Sequence, residues 1–162
     1  MKTIYLAGGC FWGVEAYFQR LKGVISTKVG YANGNTTNPK YEDLKQGKAT
    51  HSETVLIQYD ENIISLEKLL EHYLRFVDPY SINKQGHDEG LQYRSGVYGN
   101  KEDLKKVKQY FDAHLKPEYK IEILPLDNFY NAEEYHQNYL KKNPNGYCHV
   151  NLNLIRDEEK NN

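Results

Sequence analysis

The chain has 162 residues, with 21 Lys and Arg against 22 Asp and Glu, which suits one hydrophobic core and a single domain spanning 1–162. The near balance of charge removes the electrostatic case for a nucleic-acid or anionic-membrane partner and points to a largely neutral substrate. The opening MKTIYLAGG lacks an apolar signal core and no run approaches a membrane span, so a cytoplasmic location is expected.

TIYLA reads as a short buried strand, and Gly8-Gly9 free the backbone to turn into a helix beginning near Cys10. Phe11, Val14, Tyr17, Phe18 and Leu21 fall toward one side of that helix, with Gly23 as a stop. VISTKVGYA predicts a strand. The polar connection NGNTTNPKYEDLKQGKATHS exceeds the usual loop length and has room for one helical turn. ETVLIQY alternates as a strand, and SLEKLLEHYLRFV opens on a Ser cap with leucines at helical spacing. DPYSINKQGHDEGLQ is a second long irregular segment. YRSGVYG predicts a strand, Asn100 with Asp103 starts the helix KEDLKKVKQYFDAHL, and KIEILPL returns as a strand. A last helix is predicted over AEEYHQNYLKK, ahead of a flexible tail from about residue 143. The order strand, helix, strand, strand, helix, strand predicts an α+β fold: a two-layer sandwich around a mixed sheet with a ferredoxin-like split βαβ core and long coil segments.

The chemistry concentrates at GGCFWG. A thiol at the first residues of a helix meets unpaired backbone N–H groups and the positive end of the macrodipole, both of which favour the thiolate. Cys10 is therefore expected to be a nucleophile. Adjacent helical residues point about 100° apart, so Phe11 and Trp12 do not both enter one core stripe, and one of them is expected to line a cleft beside the thiol. Only one other cysteine exists, Cys148, in a Pro-Asn-Gly tail able to cross a surface. That pair is too sparse for a disulfide-stapled secreted domain and suits redox chemistry, in which a second sulfur reaches the first after oxidation. Two other classes stay open: a cysteine hydrolase or acyl transferase, which needs a histidine beside Cys10, and a binding module built from the 15 tyrosines. No metal site is expected, since no Cys-x2-Cys or His-x3-His spacing occurs, and no cofactor is called for.

Along nearly its full length the sequence resembles the type A peptide methionine sulfoxide reductases, in GGCFWGVE, GYANG, NPKYEDL, HSETV, GHDEGLQYRS, FYNAEEYHQNYL and KNPNGYC. The resemblance implies that Cys10 attacks the sulfur of a methionine S-sulfoxide, free or in a protein, giving methionine and a sulfenic acid. Cys148 then displaces water to form a disulfide that thioredoxin reduces. It also implies that Tyr41, Glu53 and Tyr93 surround the sulfoxide oxygen with Glu53 as proton donor, that Phe11 and Trp12 receive the methyl group, and that Asp88 orders the oxygen-side hydrogen bonds. A glutamate donates near neutral pH only if burial raises its pKa, so Glu53 is expected in a poorly solvated pocket. His87, Glu89, Tyr135 and His136 receive no chemistry in this reading, and a monomer is expected.

Two departures from the family pattern stand out. Leu91 occupies the place where a Thr often precedes QYRS, and no second recycling cysteine follows Cys148, so thioredoxin is expected to act directly on the Cys10–Cys148 disulfide. The stretch YCHVNLNLI is similar to longer members in which a type B reductase domain follows.

Overall fold

The computed structural model describes residues 1–161. In chain order it contains β1 (Lys2–Ala7), α1 (Phe11–Gln19), β2 (Val24–Ala32), α2 (Tyr41–Lys45), β3 (Ser52–Tyr59), α3 (Leu66–Phe76), β4 (Lys84–Gln85), β5 (Asp88–Glu89), β6 (Gly96–Gly99), α4 (Lys101–His114), β7 (Glu122–Pro125), β8 (Phe129–Asn131) and α5 (Tyr139–Lys142). Six strands form one sheet in the order β7-β6-β1-β3-β2-β8. Only β6 and β7 pair in parallel; the remaining neighbours are antiparallel.

Within that sheet β3 lies between β1 and β2, while β1 lies between β3 and β6. Each strand-helix-strand unit is thus split by a strand of the other, as the predicted element order requires. The sheet's buried side chains, including Ile4, Leu6, Val29, Val55 and Ile57, join Phe11, Val14, Phe18, Leu69, Leu70 and Tyr73 of the helices in one core. Ser65 caps α3 by accepting from Lys68 N at 3.0 Å, and Asn100 caps α4 by accepting from Asp103 N at 2.8 Å. Both caps satisfy donors that a helix start leaves unpaired.

Three local expectations change. Helix α1 ends at Gln19, short of Gly23, because Arg20 and Leu21 close onto Tyr17 O and Phe18 O in tight turns. The helix predicted over AEEYHQNYLKK divides into a 3-10 turn, Glu134–His136, and α5. The break is made by Gln137, whose amide bonds both Val29 N and Val29 O, and by Asn138, held left-handed at φ 53° with its N–H on Glu15 Oε1. These long-range bonds to α1 and β2 replace helical ones. The edge strand β8, pairing Phe129–Asn131 with β2, falls between the strand predicted over KIEILPL and that helix, where no element is predicted.

The C-terminal segment, expected to be a flexible tail, runs back across α1. Val150 and Ile155 are buried, Leu21 bridges Lys160, and Arg75 grips Glu159 in a two-pronged ion pair at 2.8 and 2.9 Å. No described helix is long and apolar enough to cross a membrane.

Candidate active site

Strand β1 ends at Ala7, and the chain turns through Gly8 and Gly9 so that Cys10 caps α1. Gly9 has φ +89°, a conformation L side chains rarely adopt. Gly8 serves closeness instead: a Cβ there would come within 2.9 Å of Val77 Cγ2. Cys10 as a residue is 8% exposed.

Glu53 enters from the second residue of β3, the strand at the heart of the sheet, and is 1% exposed. Its Oε1 accepts from Phe11 N at 3.2 Å and its Oε2 from Gln92 Nε2 at 2.7 Å. Burial pushes its pKa up to about 8, against the opposing pull of those two donors, so the carboxyl is largely protonated at neutral pH. With both oxygens already accepting, the remaining O–H is available to donate.

The thiolate expected from the helix terminus is not what the resting site favours. The Trp12 N–H does pull the Cys10 pKa down, but burial and the neighbouring Glu53 push it up by more. The macrodipole argument omitted the cost of placing an anion in a dry site beside a carboxyl group. Cys10 and Glu53 both therefore rest with their protons.

Tyr41 opens α2, and Tyr93 closes the 3-10 turn Leu91–Tyr93. Both are half-buried, each bears on the other's hydroxyl, and Glu53 raises both. Burial carries Tyr41 to about 12 and Tyr93 higher, so both remain neutral donors. Tyr41 is fixed by Glu133, which accepts from its N–H at 3.0 Å and from Tyr31 Oη at 2.7 Å.

Phe11 and Trp12 do diverge. Phe11 is buried among Tyr31 and His136, while Trp12 is half-buried, stacked on Tyr139 at 3.7 Å between centroids and 7° between planes. Trp12 Nε1 donates to His136 Nδ1 at 2.9 Å, and His136 also packs on Tyr41, at 4.8 Å. Asp88 begins β5 and accepts from Tyr147 Oη at 3.0 Å. Its charge acts on Cys10, Glu53 and Tyr93.

Cys148 lies on the Gly13 notch of α1, one turn beyond Cys10. A Cβ on Gly13 would sit 3.2 Å from Cys148 Sγ. Both cysteines are free thiols, and Cys148 is near enough to raise the Cys10 pKa. Every site residue anticipated from the sequence thus converges on the N-terminus of α1.

Known proteins share this architecture. Residues 2–162 match the family model described as peptide methionine sulfoxide reductase. The chain belongs to the peptide methionine sulfoxide reductase family. A reductase of that name from Clostridium acetobutylicum is 54% identical over 164 residues, covering 96% of this chain and 99% of its own. Saccharomyces cerevisiae Mxr1 in reduced form superposes with a TM-score of 0.83 at 38% identity, over 91% of this chain and 88% of that one. The same yeast protein in complex with Trx2 superposes with a TM-score of 0.58 at 30% identity, over 85% and 84% of the two chains. The reductase thus acts on methionine sulfoxide, and its sandwich fold is that of solved relatives.

Several residues of this reductase site were not singled out from sequence. Gln92 had no assigned role inside GHDEGLQYRS, nor Tyr139 inside FYNAEEYHQNYL, where His136 had been named but given no chemistry. Motif membership was the available signal for these three. Glu133, beneath Tyr41, belonged to the same motif. His149 carried no signal, since only the packing of the tail places it.

Proposed function

We propose that this chain reduces the S epimer of methionine sulfoxide, free or within proteins, by oxygen transfer to Cys10. The Cys10 sulfur bonds to the sulfoxide sulfur as the Glu53 O–H protonates the sulfoxide oxygen, with Tyr41 and Tyr93 as neutral donors to the same atom. The Cys10 proton replaces the one that Glu53 gives up. The substrate S–O bond and the new S–S bond then break as the protonated oxygen passes to the Cys10 sulfur; methionine leaves and Cys10 is a sulfenic acid, so the thiol is oxidised by two electrons and the sulfoxide reduced by two. Phe11 and Trp12 receive the methyl group and Asp88 orients the oxygen-side groups.

The observation that carries this reading is the buried, proton-bearing Glu53 at the helix turn that presents Cys10. An acceptor-only oxygen that is a poor leaving group needs such an acid, and neutral hydroxyls stabilise it without opposing the thiol's ionisation. Cys148 then attacks the sulfenic acid, water leaves, and a thioredoxin reduces the disulfide. The notch at Gly13 supports the first part, and the thioredoxin complex of the yeast relative supports the second. A hydrolase reading has less support: among the described residues no hydrogen bond joins a histidine to the Cys10 thiol, and His149 spends its Nε2 on Gly8 O.

The test mixes the protein with each epimer of a methionine sulfoxide peptide and a thiol reductant and measures methionine. Turnover of the S epimer alone is expected; turnover of the R epimer, or of neither, would reject the reading.

A further inference from the structure

His149 follows Cys148 directly, and its side chain is only 5% exposed. Its Nε2 lies 2.9 Å from the carbonyl oxygen of Gly8. A carbonyl only accepts, so Nε2 carries the hydrogen and Nδ1 holds a bare lone pair. That Nδ1 is buried and has no hydrogen-bond partner. A buried acceptor without a partner costs stability, and none of the steps above uses it.

The position of this ring points to a use. Spanning the first turn of α1, it places Nε2 at Gly9, 2.9 Å from where a Cβ would stand, and Nδ1 at Gly13, 3.3 Å from the corresponding point. Cys148 Sγ borders that same Gly13 point at 3.2 Å. The bare nitrogen and the thiol thus share one notch. In the resting form the thiol donates instead to Val150 O at 3.2 Å. Asp88 Oδ2 stands 3.9 Å from Nδ1, placed to favour a proton arriving there.

We propose that His149 is the base of the second half-reaction, taking the proton of Cys148 at Nδ1 as that sulfur attacks the sulfenic acid on Cys10. The Cys148–Cys10 S–S bond forms and the Cys10 S–O bond breaks. The hydroxide that departs takes the proton from the imidazolium and leaves as water. Cys148 is oxidised and the sulfenic sulfur reduced, with no other reagent. The proposal rests on the reading of Cys148 as the attacking thiol.

The surrounding charges set its pH dependence. His149 faces Asp88 from β5 and the Gly9–Gly13 turn of α1, with Cys148 on its own segment; Asp88 in turn acts on the Cys10 thiol and Glu53, Tyr147 donates to Asp88, and Arg20 acts on Cys148. Burial lowers the imidazole pKa and raises that of the Cys148 thiol. Disulfide formation should therefore rise through an acidic limb as the imidazole loses its proton, then stay level across neutral pH. Without the base it would climb steadily toward the thiol range.

The experiment quenches the reduced protein at intervals after adding one equivalent of a methionine S-sulfoxide peptide. Methionine and the Cys10–Cys148 disulfide are counted in the same sample, with dimedone present to trap sulfenic acid. His149→Gln keeps a donor toward Gly8 O but no base. It should lower the ratio of disulfide to methionine formation rates roughly 100-fold, let the Cys10 dimedone adduct accumulate, and convert the level profile to the climbing one. An unchanged ratio and profile, or equal slowing of both steps, would overturn the proposal. So would a wild-type profile that climbs without levelling, which keeps the test decisive if the variant folds poorly. Cys148→Ser run in parallel separates the two readings. Sustained thioredoxin-dependent cycling by that variant removes Cys148 from the reaction and this proposal with it, whereas a stalled Cys148→Ser beside an unaffected His149→Gln removes the base alone.

Discussion

Glu53 Oε1 accepts a hydrogen bond from the backbone N–H of Phe11 at 3.2 Å, across 42 residues of sequence. That bond ties the central strand β3 to the turn of α1 that presents Cys10, so the acid and the nucleophile share one rigid corner. Glu53→Gln keeps the acceptor and removes the proton. The sulfoxide step, measured as single-turnover methionine formation, should slow roughly 10²-fold or more. An unchanged rate would clear Glu53 of proton donation.

The same carboxyl makes stability depend on pH. Its pKa is raised from 4.5 to about 8 in the folded chain, so the folded state holds a proton that the unfolded state releases. The contribution is fully present below about 4.5 and is lost as pH rises toward about 8. Melting temperatures of wild type and Glu53→Gln should therefore diverge over this window, the variant gaining on wild type as pH increases. A constant difference between the two curves would mean that Glu53 ionises normally in the fold.

Trp12 is stacked on Tyr139 and hydrogen-bonded to His136, which fixes a large, half-open apolar face next to Cys10 on α1. Trp12→Ala removes contact area worth about 1.5–3 kcal/mol if the methyl end of the substrate packs there, or about 10- to 150-fold in kcat/KM. Steady-state kinetics on a sulfoxide peptide would show it. Retention of wild-type kcat/KM would place the methyl group elsewhere.

Gly13 is where the C-terminal segment meets α1. Alanine there adds a Cβ 3.1–3.3 Å from Val150 Cγ2, Cys148 Sγ and His149 Nδ1, close enough to push the segment outward. Helix propensity favours the change by about 1 kcal/mol, so the fold should survive. Disulfide formation after a single turnover should slow several-fold relative to methionine formation. Equal rates for the two proteins would show that the segment reaches Cys10 from another direction.

Much of the architecture was legible because it is written in short-range patterns. The turn at Gly8-Gly9, the caps at Ser65 and Asn100, and the alternation of ETVLIQY each depend on residues a few positions apart, and the structure realises them. The split strand-helix-strand order followed from the succession of elements. AEEYHQNYLKK misled for the opposite reason: its local helical preference yields to Gln137 and Asn138, which bond to Val29 and Glu15 more than 100 residues away.

For the site, the sequence by itself determined which chemical groups exist and which of them begin a helix: Cys10 before Phe11 and Trp12, with a second thiol at Cys148. Family likeness added Tyr41, Glu53, Tyr93 and Asp88. Only the tertiary structure decided their protonation, since a pKa depends on how much water and charge surround a group once the chain has closed around it. It turned the helix-terminal thiol, expected as an anion, into one held protonated beside a neutral acid. It also brought His149 against Gly8, across 141 residues, a contact that no local pattern encodes because it exists only when the last segment folds back over the first helix.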